Sequence, residues 1–287
     1  MRVYVTGGGR GFIGGHVVRA LRARGYEVRT AWVDLRDVDG LRREISGCEA
    51  VFNVAALYSF DAPAAELEAV NVGGTRNVLD ACLAAGVRRL VHTSSCTTCG
   101  PVPGREATED DLPPDWELVI PYKRTKLESE RLVLASGLDA VVVNPTTPVG
   151  EGDTAPTPTG RMVQGVASGR YRAYVATAGV NLVDVRDVAR GHLLALDFGR
   201  SGERYLLGGE NLTLKEAFAR IARAAGKPPP SIRVPYAAVR AGAALGLVNR
   251  NEALLARLPE YFSSAKAKSE LGYEPSPIDD ALRRAVG

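Results

Sequence analysis

The stretch from Arg2 to Gly14, RVYVTGGGRGFIG, restricts the possible folds more than any other part of the chain. A short β-branched and aromatic run (Val3, Tyr4, Val5) is broken by glycines and followed at once by apolar residues at helical spacing (Ile13, Val17, Val18, Leu21) that end near Gly25. Gly7, Gly11 and Gly14 let the backbone turn tightly, approach a pyrophosphate and seat the helix close to the strand. The helix N-terminus adds unpaired N–H groups and the positive end of its dipole, so strand, glycine turn and helix in this order make a phosphate cradle. Glycine-rich turns also serve as plain strand-to-helix connections, and it is the two correct flanks that favour the nucleotide reading.

At 287 residues the chain can hold one large domain or two moderate ones, and 45% hydrophobic with 24% charged residues is an ordinary globular mixture. A net charge of +3 without a run of like charge gives no footprint for nucleic acid or a membrane surface. The first residues already read as a strand, which argues against a secretory leader. The longest apolar stretch, near Val234 to Val248, is interrupted by Arg240 and too short to span a bilayer. A soluble cytoplasmic protein is the expectation. Cys48, Cys82, Cys96 and Cys99 are irregularly spaced and do not look like a disulfide framework.

The periodicity predicts strands near Arg2–Thr6, Glu27–Val33, Ala50–Val54, Arg89–Thr93, Ala140–Asn144 and Asn181–Val185, and helices near Gly14–Arg24, Val38–Ile45, Ala64–Ala85, Lys123–Ala135 and Val188–Asp197. Such alternation means a parallel sheet covered on both faces: an α/β, Rossmann-type doubly wound fold. After Pro145 a Pro, Thr and Gly-rich connection changes the character, and a run of helices follows Gly209. Thr213 with Glu216, and Ser276 with Pro277 and Asp279, have the pattern of helix N-caps. The expected division is a dinucleotide-binding domain of 1–145 plus about 181–200, and a smaller, mostly helical substrate region of about 146–180 and 201–287. No internal repeat is visible.

Asp34 lies about where a nucleotide-binding second strand would place an acid for the ribose hydroxyls. Asp34-Leu35-Arg36-Asp37 ahead of a helix also reads as the end of a third strand, and the family that the chain resembles, named below, carries an Asp-Leu pair beside the adenine there. Both roles cannot be filled, and a segment between Thr30 and Asp34 is short. Trp32, rather than an acid, falls where the second strand should end. Arg10, just before the second glycine of the turn, can meet an adenosine 2′-phosphate with a charge-assisted contact, which favours NADP(H) over NAD(H). Otherwise it is a solvated surface arginine.

Tyr122 and Lys126 stand four apart, on one face of a helix. A neighbouring ammonium and a nicotinamide cation would lower the phenol's pKa from near 10 and make Tyr-x-x-x-Lys a proton-transfer pair. By itself this spacing is common by chance. Upstream, Val91-His92-Thr93-Ser94-Ser95 ends an apolar strand and puts hydroxyls at the carboxyl edge of the sheet, where open α/β sheets bind ligands. A hydroxyl there can stabilise charge developing on a substrate carbonyl.

With the glycine turn, VNVGGTRN around Asn71, LVHTSS and PYKRTK in order, the chain resembles an extended short-chain dehydrogenase/reductase of the epimerase/dehydratase family. The turn itself mixes two branches of that superfamily, TGxxGxxG and TGxxxGxG. NPTTPVGEGD, PTPTGR, NLVDVRDVARGHLLAL, GERYLLGGENLTLKE and FSSAKAKSELGY are similar to the subgroup of hopanoid-associated sugar epimerases, close to dihydroflavonol-type reductases. The resemblance implies that Ser95 positions the substrate oxygen, Tyr122 is the general acid/base, and Lys126 holds the nicotinamide ribose and tunes Tyr122. It implies a cofactor-binding set of Gly7, Arg10, Gly11, Phe12, Ile13, Gly14, Asp34, Leu35, Ala55, Asn71, Thr93, Lys126, Asn144 and Pro145. Ser95, Thr97, Thr146, Arg161 and Arg186 would face the substrate, with Tyr171 and Tyr174 as further pocket linings.

Three reactions compete. A dehydratase would need an acidic pair after the strand-end hydroxyl, where this chain has Cys96 and Thr97. A sugar epimerase would keep its NAD bound and return a redox-neutral product. A reductase or dehydrogenase exchanges cofactor at each turnover, and Arg10 favours this oxidoreductase acting on a secondary alcohol or ketone of a small molecule. A non-catalytic NADP-binding sensor would keep the glycine turn and lose the hydroxyl, tyrosine or lysine; this chain keeps all three. Cys96 and Cys99 could form a redox pair, but they follow a strand end, which favours packing. His16, His92 and His192 are isolated, and no metal site is expected. The helices near Ala64–Ala85 and Lys123–Ala135 imply, by resemblance, a homodimer.

Overall fold

In the computed structural model, which describes residues 1–8 and 10–287, six strands form the main sheet. They are β1 (Arg2–Val5), β2 (Glu27–Arg29), β3 (Ala50–Asn53), β4 (Arg89–Thr93), β5 (Ala140–Pro145) and β6 (Arg204–Leu207). The order is β2-β1-β3-β4-β5-β6 and every neighbouring pair is parallel, with Val3 opposite both Val28 and Ala50, and Val142 opposite Arg204. Alternate residues of the strands point to opposite faces. Val3, Val5, Phe52, Val91 and Val143 meet the helices Phe12–Ala23, Val185–Phe198 and Ala265–Leu271 on one side. Tyr4, Val51, Leu90 and Val142 meet Val38–Ile45 and Gly74–Ala85 on the other. Both faces are buried, which is why these strands read as nearly continuous apolar runs.

The second region is built on a three-stranded sheet in the order Glu210–Thr213, Gly179–Asp184, Thr147–Val149, and a two-stranded pair, Ala173–Val175 with Ile232–Val234. Val163, Leu182, Phe218, Ile221 and Leu282 form its core, with the helices Pro158–Ala167, Leu214–Ala224 and Ile278–Val286.

Several sequence expectations need correction. The strand expected at Asn181–Val185 exists as Gly179–Asp184, but it belongs to the small sheet, while the helix that follows it packs on the main one. Arg204–Leu207 lies in the segment assigned to the substrate region, yet it is the sixth strand of the main sheet. Its outer edge is closed by Glu109, whose Oε1 accepts from Leu206 N at 2.7 Å. The second strand ends at Arg29, not Val33. The chain then runs through an exposed Trp32 directly to Asp37, which caps the helix Val38–Ile45 by accepting from Gly40 N. Among the described residues no further strand lies outside β2, so β2 is an edge. The helix expected over Ala64–Ala85 passes through a π-helical turn at Glu68–Gly73. The Thr213 and Glu216 capping box forms, but Ser276 caps nothing. Its N–H and hydroxyl are taken by Asp187, at 2.6 and 3.3 Å, and the last helix starts at Ile278.

Candidate active site

From β1 the chain turns one way to β2 and from β3 onward the other way, so the strand order reverses at the carboxyl ends of β1 and β3. A crevice at such a switch point is where open parallel sheets take ligands. Here it is a cleft of about 970 Å³ lined by Gly7, Arg10, Gly11, Phe12, Ile13 and Gly14 at one end and by residues of the second region at the other. Thr6 secures the junction: its hydroxyl donates to Asn53 Oδ1 at 3.0 Å and accepts from Val54 N and Ala55 N, both at 2.9 Å.

The glycine turn fits a dinucleotide. Gly7 adopts φ +61°, and a Cβ there would stand 3.0 Å from that of Ala55. Gly11 is the N-cap of Phe12–Ala23 and brings no side chain to the first-turn amides, which have no partners within the helix. Across the cleft, the buried hydroxyls of Ser94 and Thr97 have no hydrogen-bond partner. A site with open amides at one end and unpaired hydroxyls beside the strand ends is shaped for a polar ligand between them.

Ser95, Tyr122 and Lys126 all border this cleft and all are buried. Ser95 lies two residues past β4 in an extended conformation, and its hydroxyl accepts from Thr97 N at 3.3 Å. Tyr122 lies in the first turn of Pro121–Leu134, where Pro121 starts the helix. Its ring stacks on Tyr58 at 4.7 Å and meets Phe60 edge-on at 5.8 Å. Lys126, one turn on, donates from Nζ to Thr93 O at 2.8 Å. Burial pushes the Tyr122 phenol above its usual value, Tyr58 adds to this, and the Ser95 hydroxyl pulls the other way. Burial dominates and the lowering expected from a neighbouring ammonium does not offset it, because Lys126 is turned to the Thr93 carbonyl. Burial in turn brings the Lys126 ammonium down to about 8, against the opposing charge of Glu130.

Of the other expected residues, Ala55, Thr93, Thr97, Pro145, Thr146 and Arg161 line the cleft, as do Tyr171 and Tyr174. Asp34, Leu35, Asn71, Asn144 and Arg186 stand outside its wall. Asp34 is held by Arg36, through Arg36 N and Nε at 2.9 Å and an ion pair, and this pairing brings its carboxyl down to about 2. Leu35 is buried against Gly74, where a Cβ would come within 2.5 Å of it. Asn71 sits in the π turn and clamps the loop after β3: Oδ1 accepts from Leu57 N at 2.8 Å, and Nδ2 donates to Leu57 O and Thr125 Oγ1. Asn144 donates to Ser95 O, Thr98 Oγ1 and Glu130 Oε2. Arg186 pairs with Glu151 at 2.8 Å.

The sequence reading missed four features. Tyr58 and Phe60 could have been suspected from ALYSF directly after a strand. Ser94 stood in the strand-end motif without a role. Buried Lys123 and Glu117 with the half-buried Glu260, Lys123 Nζ lying 2.8 and 2.7 Å from the two carboxylates, form a cluster whose partner at 260 is too distant in sequence to be paired beforehand. The link from the Thr93 hydroxyl at the end of β4 to the buried His192 was likewise unsignalled. Cys96 and Cys99 pack with Ala107, Leu206 and Phe262, and burial pushes the Cys99 thiol up to about 12, which suits packing and not thiolate chemistry. Among the described residues, no cluster of three or more His, Cys, Asp or Glu side chains could hold a metal, and no helix is long and apolar enough to cross a membrane.

His192 donates from Nδ1 to Val188 O at 2.7 Å and accepts at Nε2 from the Thr93 hydroxyl at 2.8 Å, so the fold holds the neutral ring. Burial lowers its pKa to about 4. The unfolded ring titrates near about 6.5. The stabilisation from the neutral ring is thus complete above that pH and is lost as pH falls toward about 4. Denaturant midpoints should decline across this window, and His192→Gln should flatten the decline. An unchanged slope in the variant would assign the loss to other groups.

Open parallel sheets with a ligand crevice at the reversal of strand order form the doubly wound α/β class, to which the dinucleotide-binding folds belong, and this chain has both parts. Within that class it belongs to the NAD dependent epimerase/dehydratase family, whose model matches residues 3–208, and so to the extended short-chain dehydrogenase/reductases that bind NAD(P). It is 37% identical over 321 aligned positions to a dihydroflavonol 4-reductase-like protein of Synechocystis sp., covering 99% of this chain and 93% of the relative. It is 37% identical to sterol demethylase protein B of Methylococcus capsulatus, over 82% of this chain and 78% of that protein. Its fold matches the crystal structure of a nucleoside-diphosphate-sugar epimerase from Pseudomonas aeruginosa with a TM-score of 0.84 and 30% identity, covering 100% of this chain and 96% of that one.

Proposed function

We propose that the chain is an NAD(P)-dependent oxidoreductase acting at a secondary alcohol or ketone of a small molecule, with Tyr122 as acid/base. The observation that carries this reading is that Ser95, Tyr122 and Lys126 face the same cleft as the glycine turn. When bound, the dinucleotide supplies or accepts the hydride. Gly7, Gly11, Phe12, Ile13 and Gly14 are the residues to hold its phosphates, and Thr93, Pro145 and Lys126 its nicotinamide end. Tyr122 passes a proton between its phenol oxygen and the substrate oxygen, and the Ser95 hydroxyl hydrogen-bonds that same oxygen. We assign to Lys126 the tuning of Tyr122, its charge favouring the phenolate when the ammonium turns from Thr93 O toward it. The main sheet, including β6, forms the cofactor half and the two small sheets with their helices the substrate half.

A relative named as a reductase supports the redox reading; the fold neighbour named as a sugar epimerase marks the redox-neutral alternative. The test is to denature the purified protein, identify any nucleotide released, and titrate the emptied protein with NAD and NADP. An empty site that prefers NADPH is the expected result, whereas NAD retained through purification moves the assignment to an epimerase. Arg10 borders the cleft beside Trp32, and we assign it to an adenosine 2′-phosphate. Arg10→Ser should cut the preference for NADP by about 10- to 100-fold, the worth of one charge-assisted contact. An unchanged ratio would leave Arg10 a surface side chain. We also assign the exposed faces of Gly74–Ala85 and Pro121–Leu134, where Leu83 and Leu134 lie open, to a homodimer. A monomeric mass by light scattering at micromolar concentration would refute it.

A further inference from the structure

We infer that the substrate carries its reacting alcohol or ketone on a large apolar skeleton and not on a nucleoside diphosphate; this deepens the oxidoreductase reading and rests on it. Beyond Tyr122, five separate elements contribute apolar side chains to the cleft. Phe60 comes from the loop after β3, Met162 from the helix Pro158–Ala167, Tyr174 from the strand Ala173–Val175, Phe218 from the helix Leu214–Ala224, and Leu255 from the helix Arg250–Leu255. The helices Tyr236–Ala244 and Arg250–Leu255 close this end over Val239 and Val248. The second of them is tied down at three points: Asn251 Nδ2 donates to Phe60 O at 2.9 Å, Asn249 Nδ2 to Asp61 Oδ1 at 2.7 Å, and Thr177 Oγ1 to Ala256 O at 2.8 Å.

The charges along the same wall disfavour a diphosphate. Apart from Arg10 and Lys126, assigned above to the cofactor, its cations are Arg161 and Lys123, set against the carboxylates of Asp153, Glu252 and Glu260. Lys123 is fully buried and already shared between Glu117 and Glu260. Helix N-termini offer little more. Those at Pro158, Leu214 and Arg250 have first-turn amides taken by the side chains of Thr157, Thr213 and Asn249. A pyrophosphate placed here would lose its hydration beside net negative charge with one free arginine, whereas a hydrocarbon body would meet complementary surface.

The test uses the wild-type protein saturated with NADP⁺, whose oxidised state stops a ketone at the binding step. Calorimetry then gives Kd for a homologous series of methyl ketones, for a 3-oxosteroid and for UDP-glucose. The expected result is a Kd that falls about fourfold per added methylene until the cavity is filled, with UDP-glucose weaker than the longest ketone. Tyr174→Asp should flatten that slope and leave NADP⁺ affinity as it was. A Kd independent of chain length, or UDP-glucose binding tighter than every ketone, would overturn the inference. Tight ketone binding without NADPH consumption in the reduced complex would leave the apolar cavity assigned and remove the hydride-transfer reading, so the two fail separately.

Discussion

Replacing Tyr122 by phenylalanine is expected to lower kcat by about 10²- to 10⁴-fold, the usual contribution of a positioned acid/base, with cofactor affinity intact. The substitution is narrow. The ring keeps its stack on Tyr58 and its edge contact with Phe60, and only the hydroxyl beside Ser95 is removed. The fold should therefore report no change in denaturant midpoint, which separates lost chemistry from lost structure. Because burial raises the phenol's pKa, the wild-type protein carries its proton across neutral pH, the state needed to donate to a ketone oxygen. Retention of kcat within about tenfold would remove Tyr122 from the acid/base role.

The second large effect concerns stability. Glu130→Ala is expected to cost about 3–5 kcal/mol, because it leaves the largely enclosed Arg204 guanidinium with backbone carbonyls and no carboxylate partner. Glu130 is almost fully buried in Pro121–Leu134, with Oε1 at 2.7 Å from Arg204 on β6. Its Oε2 accepts from Thr98 Oγ1 at 2.8 Å and from Asn144 Nδ2 at 2.7 Å. Asn144 in turn holds Ser95 O, so the same carboxylate that joins helix to sheet also steadies the loop bearing Ser95. Glu130→Gln keeps an acceptor for Thr98 and Asn144 and should lose less. Equilibrium unfolding in urea distinguishes the two, and a loss below about 1 kcal/mol in the alanine variant would reduce the pair to the rank of a surface ion pair.

The main sheet and its helices were legible in the sequence because both rest on local signals. Arg89–Thr93 and Val38–Ile45 have the bounds that their apolar periods predict, and the glycine turn stands where its flanks place it. The cleft was legible through hydroxyls and a Tyr-x-x-x-Lys pair that adjoin strand ends. Long-range partners were not. Nothing local indicates that Arg204–Leu207 would pair with β5 while Gly179–Asp184 would leave the main sheet, or that Asn71 and Asn144 would spend their amides on backbone and neighbouring side chains of the site's walls. Asp187 outcompeted the cap that Ser276 would have made, a choice settled by packing 89 residues apart. Lys123, to which the sequence assigned no role, is the centre of a charge cluster whose second carboxylate comes from residue 260.

The truncated second strand has a consequence for association between molecules. A long, flat edge strand is a template on which another chain can add hydrogen bonds. Here one edge of the main sheet is only three residues long and begins with Glu27 paired to Arg2, while the other has its Leu206 amide sealed by Glu109. A short charged edge and a sealed one offer no ladder for another molecule to extend, so self-association through strand addition is disfavoured and helix faces are left as the route by which copies can meet.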